Sequence, residues 1–363
     1  MDESSLVPSL PLDWYYSPEH FLEEKEHLFK KEWIFLCHTQ ELPDKGDYIT
    51  ADLMGIPVIA LRDFEDTIQV LLNVCRHRGA PLLTEKRGQL QKPLLMCQYH
   101  GWCYRPDGSF KHAPFLKNPT ESLDLKKISF SELNGMLFVS FNPAPYPFEE
   151  RKEQVVGAMN DAQFNSANYR LHSQLVREGD FNWKVWVEGF QECYHCPTIH
   201  PLFNKDFHLS QYQVENKDHF SVHHCTRKQS LLTGSFEGLW LWLFPNCGLP
   251  CYEKAYYSMR INPKSATKTE LIYTFFTSEQ FQTEEEHAFF NFVKEITDED
   301  IRICERVQRN LVEVGGTSLF EQAYLNRTRE NGVHYFHQLI RKALEPLLPF
   351  GVEQMASVPE IIS

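Results

Sequence analysis

The chain has 363 residues, enough for two domains with a sizeable core each. Its 42% hydrophobic and 23% charged residues are ordinary for a globular protein, and a formal charge of −13 argues against nucleic acid or an anionic membrane as partner. No run nears the roughly 20 apolar residues of a bilayer span, and the first residues lack the basic-then-apolar pattern of an export signal, so a cytoplasmic protein is expected.

Ser17-Pro18-Glu19 predicts a helix start, with a hydroxyl at the cap, proline at the first helical position and an acid in the first turn. That helix is expected to run to about Trp33. From Thr39 to Phe141 the texture is β. Residues 57–61 and 68–74 are short β-branched runs, Asp107-Gly108 marks a hairpin, and residues 135–141 read as a buried closing strand. Pro143, Pro145 and Pro147 then punctuate the chain and place a domain boundary near residue 145. Beyond it, strands are expected at 170–176, 220–225, 239–244, 255–261 and 270–277. Capping patterns at Thr283 with Glu286 and at Thr297 with Asp300 predict two helices, the second ended by Gly315-Gly316. A last helix is expected from about Val333 to Leu347. Strands with helices laid on one face make an α+β domain able to enclose a pocket.

The ten cysteines, in a reducing setting, are expected as buried thiols or metal ligands rather than disulfides. Cys75-Arg-His77-Arg-Gly79 and Cys97-Gln-Tyr-His100-Gly101-Trp102 each supply one thiolate and one imidazole. A Rieske [2Fe–2S] centre holds one iron by two cysteines and the other by two histidines, one of each from either loop. Zinc fingers instead tend to pair cysteine with cysteine and histidine with histidine, so the spacing favours the cluster. Gly79 and Gly101 would let backbone approach it closely.

A second constellation lies in residues 182–201, which carry Glu192, His195 and His200. A helix from Trp183 would put Glu192 and His195 on neighbouring positions of one face, and Pro197 would end it so that His200 arrives from a turn. Two histidines plus a carboxylate from elsewhere make the open face of non-haem iron. A buried, hydrogen-bonded histidine pair is the plain structural alternative. Asp298, Glu299 and Asp300 are available acids, Asp300 also as a helix cap. Cys193 and Cys196 form a C-x-x-C without a βαβ context and are expected to be buried neutral thiols. Alternation along residues 240–244 puts Trp240, Trp242 and Phe244 on one face, as core or as pocket wall; Tyr194, Phe203 and Tyr252 are further pocket candidates. No Gly-x-Gly-x-x-Gly fingerprint appears, so hydride from a nicotinamide must be handled by another protein.

These segments together resemble the catalytic α-subunits of Rieske non-haem iron oxygenases, the ring-hydroxylating oxygenase family, over nearly the whole chain. The resemblance implies an N-terminal helix (1–38) packed on the catalytic domain, an all-β Rieske domain (39–145) and a helix-grip, START-like catalytic domain (146–363). It implies one [2Fe–2S] cluster per chain on Cys75, His77, Cys97 and His100. It also implies one mononuclear Fe(II) on His195, His200 and Asp300, the last from the Glu299-Asp300…Glu305-Arg-Val-Gln308 pattern. Glu192, where many ring-hydroxylating members have Asp, is similar to the branch of carnitine and glycine betaine monooxygenases. The resemblance makes it an electron bridge between subunits of a homotrimer. The implied activity is O2-dependent hydroxylation leading to C–N cleavage or N-demethylation of a small quaternary ammonium substrate. Electrons would come from a separate flavin- or ferredoxin-type NAD(P)H reductase. Gly189, where relatives often carry Asn, departs from the pattern and keeps ring hydroxylation or O-demethylation of an aromatic acid as an alternative. A cluster-only electron carrier or redox sensor is the non-enzymatic reading; it leaves the three iron ligands without a use.

Overall fold

The computed structural model describes residues 5–117, 119–226, 228, 238–279, 281 and 283–344. A short strand, β1 (Leu6–Pro8), precedes α1 (Pro18–Glu24). Ser17 caps α1 by accepting the His20 N–H at 3.2 Å, and Pro18 sits in the first turn, where its missing N–H costs nothing. A π-helical turn over Lys25–Phe29 ends this helix short of the expected Trp33, which instead leads into β2 (Ile34–His38). Glu24 is fully buried; it accepts the Trp183 indole N–H at 2.8 Å and pairs with the Lys184 ammonium. Those contacts fasten the N-terminal segment to the second half of the chain.

In the β-rich half, β3 (Asp47–Leu53), β4 (Ile56–Arg62), β5 (Ile68–Leu72) and β6 (Arg87–Gln89) form an antiparallel sheet in the order β5-β4-β3-β6. Period-two alternation along β4 splits its side chains between two cores. Val58 and Ala60 join the main core, whereas Ile59 and Leu61 pack in a small one with Leu71, Cys75, Leu95, Cys97 and Tyr104. β7 (Leu95–Met96), β8 (Cys103–Tyr104) and β9 (Phe110–His112) form a second small sheet, and the predicted Asp107-Gly108 turn joins β8 to β9 with Gly108 at φ +86°. β10 (Ser129–Leu133) and β11 (Met136–Ser140) form a third with β2.

After the proline-rich stretch comes α2 (Glu149–Asp161), which the sequence does not announce, because its buried stripe is only Arg151, Val155 and Met159. β12 (Tyr169–Gly179) follows, then three helices, α3 (Trp183–Phe190), α4 (Cys196–Ile199) and α5 (Pro201–Asp206). Next are β13 (Gln213–Lys217), β14 (Phe220–His224), β15 (Leu239–Leu243), β16 (Cys247–Cys251), β17 (Ala255–Ser265) and β18 (Lys268–Ser278). They build a seven-stranded antiparallel sheet ordered β12-β18-β17-β16-β15-β14-β13. β13 and β16 were not expected: one lacks an apolar run and the other contains Gly248 and Pro250.

One face of this sheet packs on α3, on the long α6 (Thr283–Val314) and on a final helix; the other packs on α2, β2 and β11. The expected pair of helices from Thr283 is a single helix. The Thr297 hydroxyl does not cap a second helix; it donates to the Val293 carbonyl one turn back at 2.8 Å, and the backbone stays helical. The helix does end at Gly315-Gly316, with Gly316 at φ +74°. β19 (Tyr324–Asn326) pairs antiparallel with β1, and α7 (Asn331–Leu344) closes the described chain; residues 345–347 of the expected last helix lie outside the described residues. No helix among the described residues is long and apolar enough to cross a membrane. The architecture is the expected α+β one.

Candidate active site

Two loops with the same backbone plan carry the first donor set. In each, the cysteine N–H bonds to a carbonyl five residues on, and a glycine N–H bonds back to the cysteine carbonyl. The distances are 2.8 Å for Cys75 to Ala80 and 3.0 Å for Gly79 to Cys75, then 2.8 Å for Cys97 to Trp102 and 2.9 Å for Gly101 to Cys97. Gly79 and Gly101 sit at φ +77° and +71°, so glycine is needed for the turn itself. The two cysteines are buried and the two histidines exposed. The Tyr104 hydroxyl, fully buried, accepts the Arg76 N–H at 3.1 Å and lies 3.3 Å from Cys75 Sγ, to which its own proton is therefore free to point. Burial pushes the Cys75 thiol pKa up; hydrogen bonds from Tyr104 and the His77 backbone pull it back, and neighbouring Cys97 raises it again. The His77 and His100 rings are 4.6 Å apart, and His77 stacks on Trp102 at 4.8 Å. Adjacent sulfurs below and adjacent imidazoles above form the donor set that a Rieske cluster takes. Tyr104 was not anticipated; a lone tyrosine beside a cysteine loop gives no sequence signal.

The second donor set converges from two places. His195 and His200 bracket α4, and Asp300 comes from the middle of α6. His195 Nε2 and His200 Nε2 are 3.1 Å apart, and Asp300 Oδ1 is 3.0 Å from His200 Nε2 and 3.7 Å from His195 Nε2. Among the described residues these three offer donor atoms all within 4.8 Å of one another. The tautomers follow from the other ring nitrogens. His200 Nδ1 lies 2.8 Å from Glu299 Oε2, and His195 Nδ1 bonds to Glu192. A carboxylate only accepts, so each Nδ1 carries a proton, and in the neutral ring each Nε2 is left with a lone pair facing the other and Asp300. Three lone-pair donors facing one point suit a cation, and a carboxylate behind each histidine is the usual means of fixing it. Burial opposes a charge on His195, yet the hydrogen bond and charge of Glu192, with Asp300, raise its pKa. For His200 burial is likewise outweighed, by Asp300 and then Glu299. Glu299 as the partner of His200 was visible in the sequence only as a neighbouring acid.

Three expectations about this segment fail. α3 ends at Phe190, so Glu192 and His195 do not share a helix face. Glu192 instead folds over its own turn, accepting the N–H groups of Tyr194 and His195, a side-chain-to-backbone pattern that competes with helix. Pro197 starts the short α4 rather than ending a helix, and His200 caps its far end. Cys193 and Cys196 are not neutral thiols: they form a disulfide that encloses His195, while the eight other cysteines are free and buried. C-x-x-C spacing brings the two Cα atoms to 5.0 Å, within disulfide reach, in a turn that needs no βαβ unit.

A cavity of about 100 Å³ opens on the three donors. Phe190, Phe203, Tyr212, Trp240, Tyr252 and Phe292 supply aromatic walls, and Val293, Ile296, Thr297 and Asp300 line it from one face of α6. Glu192 and Asp300 also line it, but no lysine or arginine does among the described residues. Of the expected pocket residues, Trp240, Phe203 and Tyr252 line the cavity. Trp242 and Phe244 do not. They share the Trp240 face of β15 and its continuation, but farther along the strand direction that face is covered by α7, where Trp242 meets Phe336 at 5.4 Å. Tyr194 is 60% exposed and does not line the cavity.

Gln308 ties these parts together. Its side chain accepts the Asn182 N–H at 2.8 Å and donates to the Tyr15 carbonyl at 3.0 Å, clamping the start of α3 to α6.

Comparison with known proteins adds the following. The family model "Rieske [2Fe-2S] domain" matches residues 32–129, and "Ring hydroxylating alpha subunit (catalytic domain)" matches residues 166–346. The chain is 25% identical to the carnitine monooxygenase oxygenase subunit of Escherichia coli K12, over 93% of this chain and 94% of that protein. It is 33% identical to the glycine betaine monooxygenase oxygenase subunit of Chromohalobacter salexigens, over 53% of this chain and 43% of that protein. The apo crystal structure of the quaternary ammonium Rieske monooxygenase CntA superposes with a TM-score of 0.81 at 24% identity, covering 93% of this chain and 96% of that one, which shows a shared fold.

Proposed function

The chain belongs to the Rieske-type ring-hydroxylating oxygenases as a catalytic α-subunit, and from that premise we propose that it is the oxygenase component of a monooxygenase acting on a small quaternary ammonium compound of the betaine type. Cys75, His77, Cys97 and His100 would hold the [2Fe–2S] cluster, and His195, His200 and Asp300 the mononuclear iron. When bound, these groups supply single electrons and O2-dependent hydroxylation of a C–H bond. Hydroxylation of a carbon attached to the quaternary nitrogen breaks that C–N bond: the carbon leaves as an aldehyde and the nitrogen as a tertiary amine. The protein's own part is binding, orientation and exclusion of water. Glu192 and Glu299 keep the Nδ1 protons of His195 and His200 in place, so both Nε2 lone pairs stay turned inward. Aromatic ring faces attract a desolvated ammonium by up to about 2 kcal/mol each.

One observation carries the substrate class: the cavity has aromatic walls, two carboxylates and no cationic side chain among the described residues. The aromatic ring faces favour an ammonium, and among the described residues no lysine or arginine is there to pair a free aromatic carboxylate, whose only cationic partner would be the bound metal, which counts against the aromatic-acid reading.

Glu192 is proposed as the bridge between the iron site and the cluster of a neighbouring chain in a homotrimer. Supporting this, His77 and His100 are exposed, and Met96, Tyr99, Phe115 and Leu116, from the cluster-bearing half, are exposed apolar side chains that an interface would cover. A separate reductase is proposed as the electron donor.

Oxygen consumption with a reductase and a panel of carnitine, glycine betaine, choline and aromatic acids tests the proposal. Release of formaldehyde or trimethylamine from a quaternary ammonium substrate is expected; turnover of aromatic acids alone would overturn it. About three irons per chain, two in the cluster and one labile, are expected, and a firm two would leave only the electron-carrier reading. Glu192→Ala should retain both metals yet lose coupled turnover.

A further inference from the structure

The Cys193–Cys196 disulfide forms a wall of the cavity and encloses His195. Its loop is only a few residues long, so it restricts the unfolded chain little and is a poor structural staple. The eight other cysteines are free, and in a reducing compartment an isolated disulfide is more often redox-active than structural. Its position relative to the three donors is more informative. Cys196 Sγ lies 4.0 Å from His195 Nε2, the nitrogen that presents its lone pair to the donor cluster. An ion bound by an imidazole nitrogen at about 2.1 Å and by a thiolate at about 2.3 Å can have those donors up to about 4.4 Å apart. That separation is compatible with the sulfur and the imidazole sharing one metal, and both cysteines line the cavity on which the three donors open. A disulfide sulfur carries no charge and is a weak ligand; a thiolate is a strong one.

We propose that Cys196 is a latent fourth ligand of the mononuclear metal site, and that its bond to Cys193 holds it off. In the disulfide form His195, His200 and Asp300 present an open face. Reduction by a dithiol adds two electrons and two protons to the S–S bond, giving two thiols here and a disulfide in the reductant. Cys196 is then able to bind the metal as a thiolate, its proton passing to solvent, and fills a position that O2 or substrate needs. A peroxide restores the open form: two thiols and one hydroperoxide group give the disulfide, water and the corresponding alcohol or water. The site is thus switched by the redox state of its own wall. This inference rests on the assignment of His195, His200 and Asp300 as metal ligands.

The test uses full-length protein with its cluster intact and cobalt(II) in the mononuclear site. X-ray absorption at the cobalt edge does not see the cluster iron. The disulfide form is expected to show only nitrogen and oxygen neighbours; after reduction with a phosphine and desalting, a cobalt–sulfur distance near about 2.3 Å should appear, and alkylation after denaturation and metal removal should label two more thiols by mass spectrometry. Cys193→Ser should show that sulfur without reductant, and Cys196→Ser should never show it. Two extra thiols with no cobalt–sulfur neighbour would overturn the proposal, as would an as-isolated protein that has both thiols free and cannot be oxidised by peroxide. If the variants do not fold, the wild-type comparison before and after reduction decides alone. Failure of cobalt to bind, or binding unaffected by His195→Ala, would instead refute the metal-site assignment.

Discussion

Lys184→Met should destabilise the fold strongly, and Glu24→Leu should largely rescue it. Lys184 and Glu24 are both fully buried and joined directly, α3 to α1. Removing one member of a buried pair leaves the other charge uncompensated, which costs about 3–5 kcal/mol. Glu24 keeps the Trp183 indole N–H at 2.8 Å, and methionine fills the apolar stem of the lysine, so we expect the lower end, about 3 kcal/mol. The lysine ammonium also lies over the Tyr15 and Trp183 rings at 5.5 and 5.6 Å, contacts that are lost as well. In Glu24→Leu/Lys184→Met no buried charge remains. Only the Trp183 N–H loses its partner, at about 1 kcal/mol, so the double variant should lie within about 1–2 kcal/mol of the parent. Urea unfolding of all four proteins, at fixed metal content, gives the coupling energy of the cycle. A single variant that loses under about 1 kcal/mol, or a double variant as unstable as the two singles combined, would refute the reasoning.

Glu299→Ala removes the carboxylate behind His200 and should weaken mononuclear metal binding by roughly tenfold to a hundredfold in competition with a chelating dye; unchanged affinity would separate Glu299 from the site. Trp240→Leu should weaken binding of a quaternary ammonium by up to roughly thirtyfold in calorimetry while sparing an uncharged isostere, and equal losses for both would rule out a ring–cation contact. His38 supplies the pH prediction. Burial depresses its pKa to about 4, and its Nδ1 accepts the Gln40 N–H, so the folded state wants it neutral. With the folded pKa below the unfolded value near 6.5, this stability is complete above pH 6.5 and is lost as pH falls towards 4, by at most roughly 3 kcal/mol. His38→Asn keeps an acceptor at the cap and should flatten the decline in urea stability between pH 7 and 4.5; an unaltered slope would assign the decline to other groups.

The local chemistry of this protein is written in short stretches of sequence. The strand and turn signals around the cluster loops, the Ser17-Pro18 helix start and the Gly315-Gly316 stop depend on neighbouring residues, and they appear where the sequence puts them. The grouping of the side chains at 75, 77, 97, 100, 195 and 200, proposed as donors, is likewise readable, because metal chemistry restricts which side chains can serve. Other features depend on partners distant in sequence. Thr297 looked like a cap, but tertiary packing of α6 across the sheet made a continuous helix cheaper than a break. Trp240 and Trp242 have the same alternation signal, and only the position of α7 over one end of the strand decides that Trp240 faces the cavity and Trp242 the core. The Cys193–Cys196 pair changed most. Composition argued for thiols, and the turn that Glu192 builds around His195 brought the two sulfurs together beside the proposed metal donors. Sequence specifies which groups are available; the tertiary structure decides which of them meet, since a contact between distant segments depends on every element packed between them.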